Sequence, residues 1–290
     1  MIEPEAPHSP ERVGVVGGGR MGSGIAHAFL VRGSQVTLIE ADADRIGNAR
    51  ESVIRSIEAS VRRGAVTESA EAIVARISVG TDIAALADAQ LVIEAVPEIP
   101  DLKQQVLQAI SAVIGDSQLI ASNTSSLSIS ELSQHVDAPE RFLGMHFFNP
   151  VPASQLVEVV CGTRTAEATV RAVQEIVASL GKVAITVTDS PGFASSRLGI
   201  LLGLEAIRMV EEGVATAEDI DAAMTLGYQH PIGPLKLTDL VGLDVRLAIA
   251  NYLTGQLGNR FAPPQLLRDM VARGDLGRKT GRGFYDWPKQ

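Results

Sequence analysis

The sequence predicts an α/β protein in which a doubly wound parallel sheet is followed by a smaller all-helical C-terminal domain. Short apolar, β-branched runs alternate with helical stretches up to residue 188, and the first four of these runs are apolar almost throughout. No strand pattern follows Asp189. Alternating strands and helices build parallel sheets, and strands without a polar face are buried on both sides.

Seven strands are predicted, with helices between the first of them. The strands cover residues 12–17, 35–40, 91–96, 119–122, 142–148, 157–161 and 183–188. The helices lie near residues 21–32, 43–63, 68–76 and 101–114. Pro100 suits the start of the last helix because proline is favoured in a first helical turn.

A domain boundary is expected near residue 190, where Pro191 and Gly192 interrupt the chain. Behind it, apolar helical periodicity predicts helices over residues 193–212, 216–225, 234–254 and 263–273. We therefore expect a short flexible tail over residues 1–10, a sheet domain over 11–189 and a helical domain over 190–290.

Composition excludes several functional classes. Of 290 residues, 46% are hydrophobic and 20% charged, which are the values of a globular chain rather than a disordered one. A net charge of −9 repels nucleic acids and anionic membranes, so neither is an expected partner. A single cysteine, Cys161, excludes an internal disulfide and a cysteine-based zinc site. We find no metal-ligand spacing, no signal peptide and no membrane span, and expect a cytoplasmic protein.

A glycine motif directly follows the first predicted strand and opens a helix. Gly17, Gly19 and Gly22 form GxGxxG, with Arg20 and Met21 inside it. The first glycine permits a tight turn, the second lets a pyrophosphate approach the backbone, and the third lets helix and strand pack closely. The N–H groups of the helix N-terminus would bind the phosphates. The motif in this context predicts a dinucleotide site.

Glu40 ends the second predicted strand, eighteen residues after Gly22. A carboxylate at this place accepts hydrogen bonds from the adenine ribose and repels a 2′-phosphate, so NAD is favoured over NADP. The alternative is an ordinary strand–turn–helix joint with an incidental acid.

A candidate acid–base pair lies on two later strands. His146 lies near the end of one predicted strand, and Glu158 follows on the next. A carboxylate bound to one ring nitrogen would fix the tautomer and stabilise the imidazolium, leaving the other nitrogen for proton transfer. A structural histidine remains the alternative, because spacing alone does not establish that the two side chains meet.

Taken together, these motifs resemble the L-3-hydroxyacyl-CoA dehydrogenase family, in its short-chain 3-hydroxybutyryl-CoA form. The resemblance covers nearly the whole chain after residue 11. The matching segments are GVVGGGRMGSGIA, LVIEAVPE, ASNTSSLSI, GMHFFNPVPASQLVEVV, DSPGF, EDIDAAMTLG, HPIGPLKLTDLVGLD and LGRKTGRGFYDW.

The resemblance implies a Rossmann-type NAD domain followed by a helical substrate domain through which the chain forms a homodimer. It also implies reversible oxidation of (S)-3-hydroxyacyl-CoA to 3-ketoacyl-CoA. Under this resemblance His146 is the general base, Glu158 orients it, Ser125 binds the substrate oxygen near the nicotinamide ribose, and Asn149 contacts the nicotinamide. It adds three residues that support cofactor binding, namely Glu98, Lys103 and Lys279.

One position departs from the family pattern. Ser196 stands where the family usually has an asparagine that helps hold the substrate carbonyl region. Serine is shorter and lacks the paired groups of an amide, so we expect altered substrate preference or rate. For the CoA phosphates the candidates are Arg55, Arg62 and Arg63, with a solvated arginine face as the alternative.

Two other functions stay open at this point. The same hydride chemistry could act on a hydroxyacyl group bound to a carrier protein, or on a free hydroxy acid such as a sugar acid or carnitine. A non-catalytic dinucleotide-binding protein is the alternative from another class.

Overall fold

A computed structural model describes residues 9–288, and the chain divides into two compact units between Ser190 and Pro191. Most of the predicted tail, residues 1–8, lies outside the described residues. Its last two residues contact Ser34: the hydroxyl of Ser9 lies 2.9 Å from that of Ser34, which donates to the Pro10 carbonyl at 2.6 Å.

The first unit consists of a sheet with flanking helices. Its strands are β1 (Arg12–Val16), β2 (Gln35–Ile39), β3 (Ile77–Gly80), β4 (Leu91–Glu94), β5 (Leu119–Ser122), β6 (Phe142–Phe147), β7 (Leu156–Cys161) and β8 (Val183–Thr188). Its α-helices are α1 (Arg20–Leu30), α2 (Ala43–Arg62), α3 (Ala70–Val74), α4 (Pro100–Ser111), α5 (Ile129–Leu132) and α6 (Glu167–Ser179).

The eight strands form one sheet in the order β3-β2-β1-β4-β5-β6-β7-β8. The reversal of strand order beside β1 makes the sheet doubly wound, so the predicted Rossmann-type fold class is confirmed. All neighbours are parallel except β6 and β7, which pair antiparallel. The prediction of a wholly parallel sheet was wrong there, because the connection over residues 148–155 is too short for a parallel crossover.

One strand and two α-helices of this unit were not predicted. The helix expected over residues 68–76 is shorter and is followed by the edge strand β3, whose four residues carry too little pattern to be recognised. Helices α5 and α6 were also not predicted. The predicted strands and helices otherwise appear within a few residues of their expected ends.

The core of the first unit lies where α1 crosses the central strands. Val15 on β1 and Ile93 on β4 are fully buried, and so are Ile25 and Phe29 on α1. This packing holds the loop between β1 and α1 against the carboxyl ends of β1 and β4, which is where open α/β sheets bind ligands.

The second unit is helical, as expected. Its α-helices are α7 (Ser195–Glu211), α8 (Ala217–Ala222), α9 (Pro234–Val241), α10 (Leu243–Leu257) and α11 (Gln265–Arg273), and a π-helical turn, Ala223–Gly227, extends α8. The single helix predicted over residues 234–254 is divided at Gly242, whose φ of 106° lies outside the helical region. Among the described residues no helix combines the length and hydropathy of a bilayer-spanning segment.

Candidate functional site

The glycine loop between β1 and α1 has the backbone geometry that the motif predicts. Gly17 has a φ of 101°, which favours glycine. A Cβ at Gly22 would lie 1.7 Å from the carbonyl oxygen of Gly17, so a side chain is excluded there. A Cβ at Gly19, the N-cap of α1, would meet open space. The loop is therefore tight on its inner side and open to a ligand at the helix N-terminus.

Next to this loop lies a cavity of about 750 Å³, which we call the cofactor cavity. Arg20, Met21 and Glu40 line it together with the loop. Oε1 of Glu40 accepts a hydrogen bond from the backbone N–H of Gly18 at 3.0 Å, and Oε2 accepts one from Ala41 at 3.1 Å. The helix N-terminus suits a pyrophosphate, and the oriented carboxylate suits ribose hydroxyls, so these residues fit NAD.

Glu98 organises the loop that follows β5. Its Oε1 accepts hydrogen bonds from the Thr124 hydroxyl at 2.6 Å and from the backbone N–H groups of Ser125 and Ser126 at 2.9 and 3.1 Å. The Ser125 hydroxyl also lies within 3.3 Å. Burial acts to raise the pKa of Glu98, but nearby Lys103 and these hydrogen bonds outweigh it and hold the pKa below its ordinary value. Glu98 therefore holds the Ser125 loop as a carboxylate.

Lys103 lies beneath this loop rather than on the cavity surface. The side chain is 1% exposed, and its ammonium donates to Oε1 of Glu94 at 2.7 Å and to the Val96 carbonyl at 3.2 Å. It also lies 3.3 Å from Oε2 of Glu98. These three contacts use the donors of the ammonium, so the geometry favours support of the cofactor cavity through the two acids over direct contact. Sequence reasoning missed Glu94, although an acid ending an apolar strand was a signal.

His146 and Glu158 are directly opposite each other on the antiparallel strands β6 and β7. Nδ1 of His146 lies 2.6 Å from Oε2 of Glu158, and both residues are buried. The predicted contact between the two side chains is therefore present. A buried carboxylate at Nδ1 fixes the ring orientation and stabilises the imidazolium, so the ring is suited to accept a proton at Nε2.

Asn123 ties this strand to the Ser125 loop, because its Oδ1 accepts a hydrogen bond from the backbone N–H of Phe147 at 2.9 Å. The histidine and the serine loop are thus held by neighbouring parallel strands, β6 and β5, at the same edge of the sheet. Asn123 was not predicted as a site residue, although it directly follows a strand in the ASNTSS segment.

The three candidate arginines on and after α2 differ in their partners. Arg55 pairs with Glu51 at 3.0 Å and Arg62 with Glu58 at 3.7 Å, on the exposed face of the helix. Their placement favours the solvated-face alternative, because a neighbouring carboxylate already partners each of them. Arg63, in contrast, has no carboxylate partner among the described ion pairs.

Arg63 lines a groove of about 500 Å³ together with Arg20 and Asn149, which we call the Arg20–Arg63 groove. Two serines of α2, Ser52 and Ser56, also line it. Positions 52, 56, 59 and 63 recur at helical spacing and could have indicated this face. Asn149 thus borders this groove, which shares Arg20 with the cofactor cavity.

Nearly all of the described chain matches a known family. The 3-hydroxyacyl-CoA dehydrogenase NAD binding domain matches residues 12–190, and the C-terminal domain of the same family matches residues 192–287. The chain belongs to the 3-hydroxyacyl-CoA dehydrogenase family. It is therefore an NAD-dependent dehydrogenase, and NAD is its cofactor.

Relatives of this dehydrogenase come from bacteria and animals. It is 42% identical over 279 residues to the 3-hydroxybutyryl-CoA dehydrogenase of Bradyrhizobium diazoefficiens, covering 96% of this chain and 95% of that one. It is 35% identical to the mitochondrial hydroxyacyl-coenzyme A dehydrogenase of Rattus norvegicus, covering 96% and 91%. The crystal structure of (S)-3-hydroxybutyryl-CoA dehydrogenase PaaH1 from Ralstonia eutropha matches with a TM-score of 0.92 and 41% identity, covering 97% and 100%.

Two predicted site residues of this dehydrogenase lie in the second unit. Ser196 lies in the first turn of α7. Lys279 donates to the carboxylate of Asp244 at 2.5 Å. Their predicted roles at substrate and cofactor remain predictions.

Proposed function

We propose that this dehydrogenase oxidises short-chain (S)-3-hydroxyacyl-CoA, with 3-hydroxybutyryl-CoA as its preferred substrate, to the 3-ketoacyl-CoA in a reversible reaction. The observation that carries the proposal is the buried contact of 2.6 Å between His146 and Glu158. The names of the bacterial relatives support the short acyl chain.

In the proposed mechanism, His146 accepts the proton of the C3 hydroxyl at Nε2 while the C3 hydrogen leaves with its electron pair. Bound NAD supplies the acceptor for that hydride. Glu158 keeps Nδ1 as the donor and stabilises the positive ring. Ser125 hydrogen-bonds the substrate oxygen, so the oxygen that becomes the ketone is held beside the base.

The other predicted site residues take roles in cofactor binding. Glu40 binds the adenine ribose, and Glu98, supported by Lys103, holds the serine loop against the nicotinamide ribose. Asn149 contacts the nicotinamide side, and the supporting role in cofactor binding that the resemblance implies for Lys279 stays a prediction.

The Arg20–Arg63 groove receives the CoA moiety, with Arg63 as the cation for its phosphates. Ser196 keeps the substrate-binding role that the resemblance implies, with an altered substrate preference or rate because serine replaces the usual asparagine. Of the predicted phosphate ligands, only Arg63 keeps this role, since Arg55 and Arg62 are paired on the helix surface.

We also propose a homodimer through the second unit, in the cytoplasm. Helix α7 leaves Leu198 68% exposed, with Leu201 and Leu202 at 39% and 37%. An apolar stripe of this kind suits a subunit interface. Leu198→Glu should therefore lower the sedimentation coefficient to that of a monomer, and an unchanged value would contradict this interface. The single cysteine is consistent with a reducing compartment.

The test of the proposed function is a rate panel followed by NADH absorbance. Thioesters of increasing chain length are compared with free 3-hydroxybutyrate, and wild type is compared with His146→Gln. The short thioester should be turned over fastest, and His146→Gln should lower kcat by about two to four orders of magnitude, typical of a lost general base, without weakening NADH binding. Faster turnover of the free acid would exclude a CoA substrate, and an unchanged kcat would exclude His146 as the base.

A further inference from the structure

A third cavity, of about 330 Å³, lies in the first unit between the end of α1, the end of α2 and the segment before β8. We call it the His27 cavity. Its polar lining consists of His27, Arg32, Ser60, Arg63, Thr67 and Lys182. It shares no lining residue with the cofactor cavity, and it adjoins the Arg20–Arg63 groove through Arg63 and Pro152.

Three cations converge on this cavity without a counter-charge. No carboxylate is among its lining residues, and none of the ion pairs within residues 9–288 includes Arg32, Arg63 or Lys182. Arg32 donates to the carbonyl of Leu180 at 3.2 Å, and Lys182 donates to those of Val151 at 2.7 Å and Ser154 at 2.5 Å. Arg32 and Arg63 are exposed and Lys182 is half-buried, and together they form a locally positive surface in a chain of net charge −9.

The lining of the cavity includes a buried histidine, His27. His27 is 3% exposed, and its Nδ1 is buried with no hydrogen bond within the described part of the chain. Its Nε2 lies 3.4 Å from the Ser60 hydroxyl. Burial, followed by Arg63 and Lys182, lowers the pKa of His27 to about 4, so the ring is neutral at pH 7. Because Nδ1 is closed to solvent, the ring borders the cavity as a neutral wall and not as a direct ligand contact.

We propose that the His27 cavity is a binding site for a phosphate-class dianion, either inorganic phosphate or a phosphomonoester group. Arg32 and Arg63 contribute guanidinium donors, which bind phosphate oxygens in pairs, and Lys182 contributes the donor that its carbonyl contacts leave over. A dianion offsets two of the three positive charges, whereas a carboxylate would offset only one.

The test is a calorimetric titration of the purified enzyme with inorganic phosphate at pH 7.5, with chloride adjusted to constant ionic strength. We expect one saturable site and a shift of the His27 ring resonances in NMR spectra during the titration. Arg32→Gln should weaken phosphate binding at least tenfold, because one charge-assisted contact is lost. Arg50→Gln, an exposed arginine of α2, is the matched control and should bind as wild type.

Thr67→Glu provides an independent variant, because it places a carboxylate among the cations at an exposed position of the cavity wall. It should abolish phosphate binding while the folded spectrum is retained. Absence of saturable binding in wild type, or binding that Arg32→Gln and Thr67→Glu leave unchanged, would overturn the proposal.

Two sources of the phosphate group are then distinguished by repeating the titration with saturating CoA or dephospho-CoA. Competition by CoA but not by dephospho-CoA assigns the site to the 3′-phosphomonoester of the carrier. Equal competition by both excludes that source and reflects occupation of the shared Arg63. Undiminished phosphate binding with both assigns it to free phosphate. This choice of source rests on the proposed function, whereas the site itself does not, so the phosphate titration of the free enzyme stands even if CoA is not the substrate.

Discussion

Glu158→Gln is the substitution that best isolates the contribution of the acid beside His146. Glu158 is fully buried and its Oε2 lies 2.6 Å from Nδ1. Glutamine has nearly the same shape and can still bind the ring, so the change removes the charge and little packing. The lost quantity is the stabilisation of the imidazolium that forms as the substrate proton is transferred.

The expected size follows from the geometry of this contact. A hydrogen bond involving a charged group contributes about 1.5–3 kcal/mol, and each 1.36 kcal/mol of barrier changes a rate about tenfold. We therefore expect kcat to fall about 10- to 100-fold, with the affinity for NADH unchanged because the cofactor cavity is not altered.

The assay is the initial rate of NADH formation at saturating substrate, with NADH affinity from fluorescence titration. Glu51→Gln, an exposed acid on α2, is the matched control and should behave as wild type. A double variant with His146→Gln tests the mechanism: if Glu158 acts through His146, the double variant is no slower than His146→Gln alone. Additive losses, or a kcat for Glu158→Gln within twofold of wild type, would refute the reasoning.

Three further predictions concern the cofactor cavity. Glu40→Ala should weaken NAD binding and lower the ratio of kcat/KM with NAD to kcat/KM with NADP, because Arg45 lines the same cavity and could then meet a 2′-phosphate. An unchanged ratio would exclude Glu40 from the ribose site. Gly22→Ala should abolish cofactor binding in a fluorescence titration, because its Cβ would overlap the loop. The comparison is Gly47→Ala on α2, where a Cβ meets open space; this change should raise the free energy of unfolding in urea by about 0.5–1 kcal/mol. The pKa of Glu98 in the folded protein is below its ordinary value of 4.5, so the stabilisation of the fold by this carboxylate is complete above pH 4.5 and is lost as pH falls through the folded pKa. Glu98→Gln should therefore make the free energy of unfolding depend less on pH below 4.5. An unchanged slope would contradict this.

Local backbone requirements were predictable from the sequence. The turn at Gly17 and the close approach at Gly22 depend on residues that are adjacent in the chain, so the motif and its context suffice. The break at Gly242 was not predicted, because an apolar periodicity continues across it. Its positive φ depends on how α9 and α10 pack, and this packing cannot be predicted from the identity of single residues.

Helix faces were predictable only in part. The seven-residue spacing of Arg55 and Arg62 correctly indicates a shared face, but it does not say which face meets the rest of the protein. In the structure that face is exposed to solvent, and Arg63 lines both the Arg20–Arg63 groove and the His27 cavity. Which face is buried is decided by the packing of α2 against α1, α3 and β3.

The amino-acid sequence alone is enough to predict a sheet domain with a glycine-rich dinucleotide loop, a helical second domain and the ordered motifs of one dehydrogenase family. These properties follow from local periodicity, backbone conformation and residue order. Tertiary structure alone decided that β6 and β7 run antiparallel with His146 opposite Glu158, and that Lys103 is buried between two acids. Strand direction and register depend on contacts between distant segments, and a shift of one residue would turn His146 or Glu158 to the other face of the sheet.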